Sequence, residues 1–234
     1  MPWGRREAKS SGITPPSAQF ANAVFHDEYQ VNVLRGHNVR TIVDIGAHVG
    51  SFTVMAHHYW PNARFVAVEP HPESFDLLVR NTSHIPKDSL TLINAAVTRE
   101  SGRCILSSPV SHSRVGEYAP AVWEKLEPRH SDFGLQVDSI TPEDLWNILS
   151  DVSIDEVDLL KLDCEGAEYL IVSELSALGL MDRVGWIQGE WHSRKDNLML
   201  ANLLSQTHVF NIDPNYPHSV GMFVAHRILK QAGD

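Results

Sequence analysis

The stretch Thr41-Ile-Val-Asp-Ile-Gly-Ala-His-Val-Gly-Ser-Phe-Thr53 decides the fold of this chain. Its first five residues are β-branched or apolar apart from Asp44, the composition of a buried parallel strand. Gly46 to Gly50 then make a turn, and an amphipathic helix opens near Ser51. Working outward, Phe65-Val-Ala-Val-Glu-Pro70 is a second apolar run that ends in an acid, about twenty residues past the turn. Around this pair the pattern alternates: strands are expected over 40–45, 64–68 and 91–96, and helices over 51–58 and 72–81. Such alternation builds a parallel sheet covered on both faces. Farther on, short strands are expected over 102–107, 135–140, 157–162, 185–190, 208–213 and 220–226, the last fitting an antiparallel closing strand. Thr141 starts a helix with Pro142 in its first turn and Asp144 at the capping-box position, and another helix is expected over 198–205.

The glycine spacing discriminates between nucleoside cofactors. A dinucleotide site uses G-x-G-x-x-G, whose central glycine admits a pyrophosphate at a helix N-terminus. Here the pattern is Asp44-x-Gly46-x-x-x-Gly50. An acid two residues before the first glycine repels a pyrophosphate but suits the cationic amino-acid end of S-adenosylmethionine. Glu69, at the end of the next strand, suits the two hydroxyls of a ribose. A strand-turn-helix whose glycines serve packing alone would account for the first stretch but not for Glu69.

A second group of polar residues is expected at the same sheet edge. Asp158-Leu-Leu-Lys-Leu-Asp-Cys-Glu-Gly-Ala-Glu168 carries an apolar strand into Asp163, Glu165 and Glu168, and Trp186-Ile-Gln-Gly-Glu-Trp-His192 delivers Glu190 and His192. In open α/β sheets ligands lie outside the carboxyl ends of the strands, so Asp163 should share an edge with Gly46 and Glu69. Methyl transfer to an alcohol needs alignment of the acceptor and a base for its proton. His192 suits the base role because imidazole ordinarily titrates near neutrality, with Glu190 or Asp163 to orient it. Glu168 reads as the acid that opens a helix, and Lys161 as a partner for one of the carboxylates. Asp163, Glu165, Glu190 and His192 could instead hold a divalent ion, although no metal is assigned, and no zinc spacing is present.

Composition narrows the partners. At 234 residues and 43% hydrophobic content the chain supports one domain over 17–234, preceded by a frayed tail over 1–16. Within it, 17–36 reads as a helical cap over the cofactor end and 108–134 as an irregular loop on the substrate side. There are 19 basic and 29 acidic residues, a formal charge of −10, which disfavours nucleic acid as a partner. No apolar run is long enough for a membrane span and no leader pattern is present, so a cytoplasmic protein is expected. Two cysteines, Cys104 and Cys164, read as ordinary thiols. Association with further copies of the chain is left open.

Taken together, 43–53, Val68-Glu-Pro70 with Asn81, Asn94-Ala-Ala-Val97, 158–168 and Glu190-Trp-His192 resemble the FkbM family of class I S-adenosylmethionine-dependent methyltransferases. The first motif marks the superfamily; Lys-x-Asp-x-Glu-Gly-Ala-Glu followed by Glu-x-His is the more specific signature. The resemblance implies a Rossmann-like α/β fold with a seven-stranded, mostly parallel sheet, helices on both faces and an antiparallel terminal strand. It also implies O-methylation of a small molecule, sugar or natural product. Asp44, Gly46, Ala47 and Gly50 would line the methionine end of the cofactor, with His48 and Phe52 in the same group. Glu69 would hold the ribose, and Pro70, Asn94, Ala95 and Ala96 would surround the adenine. Asp163, Glu165, Glu190 and His192 would face a small-molecule or glycan acceptor, Asp163 reaching the cofactor as well. His48 departs from the family pattern, in which a small or amide residue is usual. A cofactor-binding scaffold without catalysis and an NAD-dependent oxidoreductase are the alternative readings.

Overall fold

The computed structural model describes residues 29–106, 134–192, 194–212 and 221–228. The tail expected over 1–16, residues 17–28 of the cap and all but Gly134 of the loop expected over 108–134 lie outside them. Of the cap, a single 3-10 turn at Val31–Leu34 is described.

Seven strands form the main sheet: β1 (Thr41–Ile45), β2 (Arg64–Val68), β3 (Leu90–Ile93), β7 (Val157–Leu162), β8 (Val184–Trp191), β9 (His208–Ile212) and β10 (Gly221–Arg227). Their order is β3-β2-β1-β7-β8-β10-β9. All run parallel except β10, which is antiparallel to both β8 and β9. The reversed strand is therefore one place in from the edge. The order changes direction between β1 and β7, and a doubly wound sheet opens its ligand crevice at such a point.

The strands β4 (Ala96–Val97), β5 (Gly102–Leu106) and β6 (Leu135–Ile140) make a separate small sheet, order β4-β6-β5. The strand expected over 91–96 is thus two strands in different sheets. Asn94 causes the break, turning its amide to donate to the carbonyls of Glu69 (2.8 Å) and Pro70 (3.2 Å) instead of continuing the ladder.

Alternation along the strands sends side chains to two cores. Val43, Ile45, Val66, Val68, Leu160 and Leu162 face one core, shared with α3 (Pro142–Asp151), α4 (Glu168–Ala177) and α5 (Arg194–Leu204). Ile42, Phe65 and Leu159 face the other, packed by Phe52 and Ala56 of α1 (Ser51–Tyr59) and by the 3-10 turn. Leu78 of α2 (Pro72–Asn81) joins Ala47 and Ala67 in a smaller cluster. A fully buried side chain of this size contributes roughly 1.5–3 kcal/mol. Helix α3 starts as its sequence predicts: Thr141 Oγ1 accepts from Asp144 N (3.0 Å) and Asp144 Oδ2 accepts from Thr141 N (3.1 Å). Among the described residues no helix is long and apolar enough to cross a membrane.

Candidate active site

Two polar residues lie inside the central strands. Asp44 of β1 and Lys161 of β7 are register partners, both buried, with Lys161 Nζ 3.1 Å from Asp44 Oδ1. Thr53 Oγ1 donates to Asp44 Oδ2 at 2.7 Å. Burial opposes the charge on Lys161, but Asp44 and Asp163 outweigh it and raise the pKa above its ordinary value. The ammonium also donates to the Gly46 carbonyl (2.6 Å) and stands 4.0 Å from Asp163. Asp44 therefore sits beneath the glycine turn, tied to Lys161 and Thr53.

The turn has a demanding backbone. Gly46 has φ 80°, and a Cβ built there would stand 1.8 Å from the Asp163 carbonyl oxygen. The glycine is needed because β1 and β7 leave the sheet in backbone contact at this point. Gly46 N and Ala47 N both donate to the Val68 carbonyl (3.0 Å each), pinning the turn to the end of β2. His48 adopts φ 51°, a left-handed geometry in which Asn, Asp and His are the usual non-glycine residues. Asn81 closes the structure from α2 by donating to the Val49 carbonyl at 2.8 Å.

Glu69 ends β2 next to this turn. One carboxylate oxygen accepts from His48 N and the other from His71 N, each at 2.8 Å. Burial pushes its pKa up to about 7, against the pull of those two N–H groups and of Lys161. Two further polar atoms at this edge, Ser51 Oγ and His71 Nδ1, are buried with no hydrogen-bond partner among the described residues. A carboxylate, a hydroxyl and an imidazole nitrogen held at one strand end fit the polyhydroxylated, nitrogen-rich surface of a nucleoside. Asn94 is exposed, while Ala95 and Ala96 are buried and Ala96 packs in the core of the small sheet. Phe52 is buried against Tyr29, ring edge to ring face, with centroids 5.5 Å apart.

The second group gathers at the ends of β7 and β8. Asp163 follows β7 and accepts a 2.6 Å hydrogen bond from Tyr29 Oη. The loop after it turns sharply, with Glu165 at φ 56° and Gly166 at φ 114°. Glu168, the first residue of α4, folds back to accept from Cys164 N (2.8 Å) and Gly166 N (3.0 Å). Its Oε1 also lies 3.1 Å from His192 Nδ1. His192 Nε2 faces Glu165 Oε2 at 3.4 Å, Glu190 Oε2 at 3.5 Å and Asp163 Oδ1 at 4.0 Å. Burial alone would lower the pKa of His192; Glu168, Glu190 and Glu165 overcome that and carry it to about 11. Burial likewise opposes ionisation of Glu168, and the His192 cation with the Cys164 N–H holds its carboxyl below the ordinary value.

The structure thus brings Asp163, Glu165, Glu190 and His192 together and packs Gly46 on Asp163, with His48 and Glu69 bonded to each other at the neighbouring strand end. Two members of the site escape the sequence reading. Tyr29 reaches Asp163 from 134 residues away, and no local pattern marks it. Glu168 carries the signal of an ordinary helix-opening acid, yet it is buried and fixes both the loop and His192.

The methyltransferase FkbM domain matches residues 44–210. No curated protein matches the chain in sequence. Among solved structures, the N-terminal domain of human METTL16 superposes with a TM-score of 0.53 at 13% identity, over 95% of this chain and 75% of that one. The human methyltransferase 10 domain containing protein gives 0.52 at 13% identity, over 92% and 84%. A Clostridium thermocellum protein described as an rRNA methylase gives 0.53 at 10% identity, over 89% and 97%. At these identities the structures establish a shared fold, and the domain match over most of the chain establishes the kinship: this chain belongs to the FkbM family of S-adenosylmethionine-dependent methyltransferases.

Proposed function

We propose that this enzyme methylates a hydroxyl group on a small molecule or glycan, with Glu69 and its neighbours holding the cofactor and the acids of β7 and β8 receiving the acceptor. The observation that supports this is the convergence of Asp163, Glu165 and Glu190 on His192 at the strand edge that also carries Glu69. When bound, S-adenosylmethionine supplies a methyl group activated by its sulfonium. The chain's task is to orient the acceptor oxygen and take up its proton. Glu69 accepts from ribose hydroxyls, and Ser51 Oγ and His71 Nδ1 offer further polar contacts to the nucleoside. Asp44 acts from below, keeping the turn in shape through Lys161 and Thr53.

The role of base passes from His192 to the carboxylates. A ring whose pKa stands at about 11 is cationic at neutral pH and has no free lone pair, whereas Asp163, Glu165 and Glu190 offer oxygens to a hydroxyl. His192 keeps those oxygens within reach of one another, and Tyr29 orients Asp163.

The test is methyl transfer from labelled S-adenosylmethionine to a panel of sugars and hydroxylated small molecules, with products identified by mass spectrometry and NMR. A methyl ether is expected. Label that appears only on nitrogen or carbon overturns the reading.

A further inference from the structure

The acidic half of the crevice carries more negative charge than its own cations offset. Asp163, Glu165, Glu168 and Glu190 all surround His192, and a single imidazolium matches one of the four. The other nearby cation, Lys161, is closest to Asp44 and only reaches 4.0 Å from Asp163. The side chains of Asp163, Glu165 and Glu190 are 21%, 19% and 23% exposed, so they line the crevice without being dissolved in solvent.

The histidine supplies a second, separate feature. It is 93% buried, since its exposure is 7%. Glu168 occupies Nδ1, and Glu168 is itself locked by two backbone N–H groups. The ring cannot turn away, so Nε2 is aimed into the acids, 3.4 Å from Glu165 Oε2 and 3.5 Å from Glu190 Oε2. A carboxylate on one ring nitrogen with the other presented to an open site is the arrangement that orients histidine toward a metal.

One ligand atom each from Asp163, Glu190 and His192 all lie within 4.8 Å of one another. Ligands about 2.1 Å from a divalent ion stand roughly 3–4.2 Å apart, so a shift of about half an ångström closes the set. An imidazole with two carboxylates suits manganese or ferrous iron better than magnesium, which prefers oxygen alone.

We propose that Asp163, Glu190 and His192 hold a divalent first-row cation of the manganese type, against which the acceptor's hydroxyl is placed. The ring then exchanges its Nε2 proton for the cation, since an imidazole ligand is neutral. A hydroxyl beside a divalent ion gives up its proton more readily, and Glu165, left outside the ligand set, is placed to receive it. This use of the cation rests on the hydroxyl-methylation reading; the binding site itself does not.

The experiment titrates the full chain with Mn2+ and follows the free-ion signal by electron paramagnetic resonance. One tightly held ion is expected in the wild type, with affinity lowered by more than about 10-fold in Glu190→Gln and further in His192→Ala, while Asp138→Asn, an exposed residue paired with Arg103, binds as the wild type does. Circular dichroism melts confirm that each variant is folded, and Glu190→Gln, which keeps its shape, serves if His192→Ala is not. Undiminished free signal at millimolar Mn2+, or equal binding by wild type and both variants, overturns the site. Methyl-ether formation that persists in a chelator, with no ion bound, overturns the cation and leaves hydroxyl methylation standing. Ion binding accompanied by methylation of amines alone supports the site and overturns the hydroxyl reading.

Discussion

Glu69 is the residue whose chemistry makes the sharpest prediction. Its pKa rises from 4.5 to about 7 because burial disfavours the carboxylate more than His48 N, His71 N and Lys161 favour it. A raised folded-state value means that its contribution to the stability of the free protein is full below about 4.5 and is lost as pH rises through about 7. Ribose hydroxyls donate to the ionised form, so cofactor binding should follow the opposite course and strengthen over that range. Between pH 6 and pH 8 the ionised fraction changes about tenfold, and the Kd for S-adenosylhomocysteine measured by calorimetry should fall by about the same factor. Glu69→Gln should flatten that dependence; an unchanged profile in the variant removes Glu69 from the cofactor site. Gly46 can be tested against Gly36, which has a similar φ of 92° but nothing within 4 Å of a built Cβ. Gly36→Ala should cost only the left-handed backbone penalty, about 1–2 kcal/mol. Gly46→Ala adds a collision with the Asp163 carbonyl, so its melting temperature should fall well below that of Gly36→Ala. Equal melting temperatures would mean that the β1 and β7 exits are not in contact.

At the scale of elements, β7, its loop and the start of α4 act as one unit, held from inside by Glu168. Glu168→Gln keeps an oxygen for Cys164 N and Gly166 N but withdraws the charge facing His192. A loss of about 1–3 kcal/mol is expected, visible as a lower denaturation midpoint. Turnover should fall while S-adenosylhomocysteine binding stays near wild type, because Glu69 and the glycine turn belong to a different loop. Weakened cofactor binding would show that the two halves of the crevice are not separable. The same unit shows what the sequence makes legible. The β1 turn, the end of β2 and the capping box of α3 can be read because the signals that mark them, a glycine spacing, a strand-end acid and Thr141-Pro-Glu-Asp144, are each local in the sequence. Glu168 cannot, because its partner His192 is 24 residues away and its own position already has an ordinary explanation. The pKa of His192 is hidden for the same reason: its identity suggests a neutral base, and only the assembled carboxylates make it a cation. The strand expected over 91–96 fails through one side chain, Asn94, whose bonds to the carbonyls of Glu69 and Pro70 no hydrophobic pattern records.

The whole molecule bears on what kind of acceptor can approach. Its fold is shared with a protein described as an rRNA methylase, but at 10% identity that likeness concerns the arrangement of strands and helices and carries no substrate with it. The charge of this chain points elsewhere. With a formal net charge of −10, the overall field of the chain opposes a phosphate backbone, and binding to nucleic acid depends on releasing counterions through basic contacts. Labelled single-stranded and hairpin RNA should therefore show no change in fluorescence anisotropy with micromolar protein at physiological salt. Lowering the salt should not rescue binding, because like charges repel more strongly when screening is reduced. Sugars and small hydroxylated compounds meet no such barrier, and they should compete for labelled methyl groups where total RNA does not. Saturable RNA binding that strengthens as salt is lowered would reveal a basic surface strong enough to overcome the net charge, and the acceptor search would then have to turn to nucleic acid.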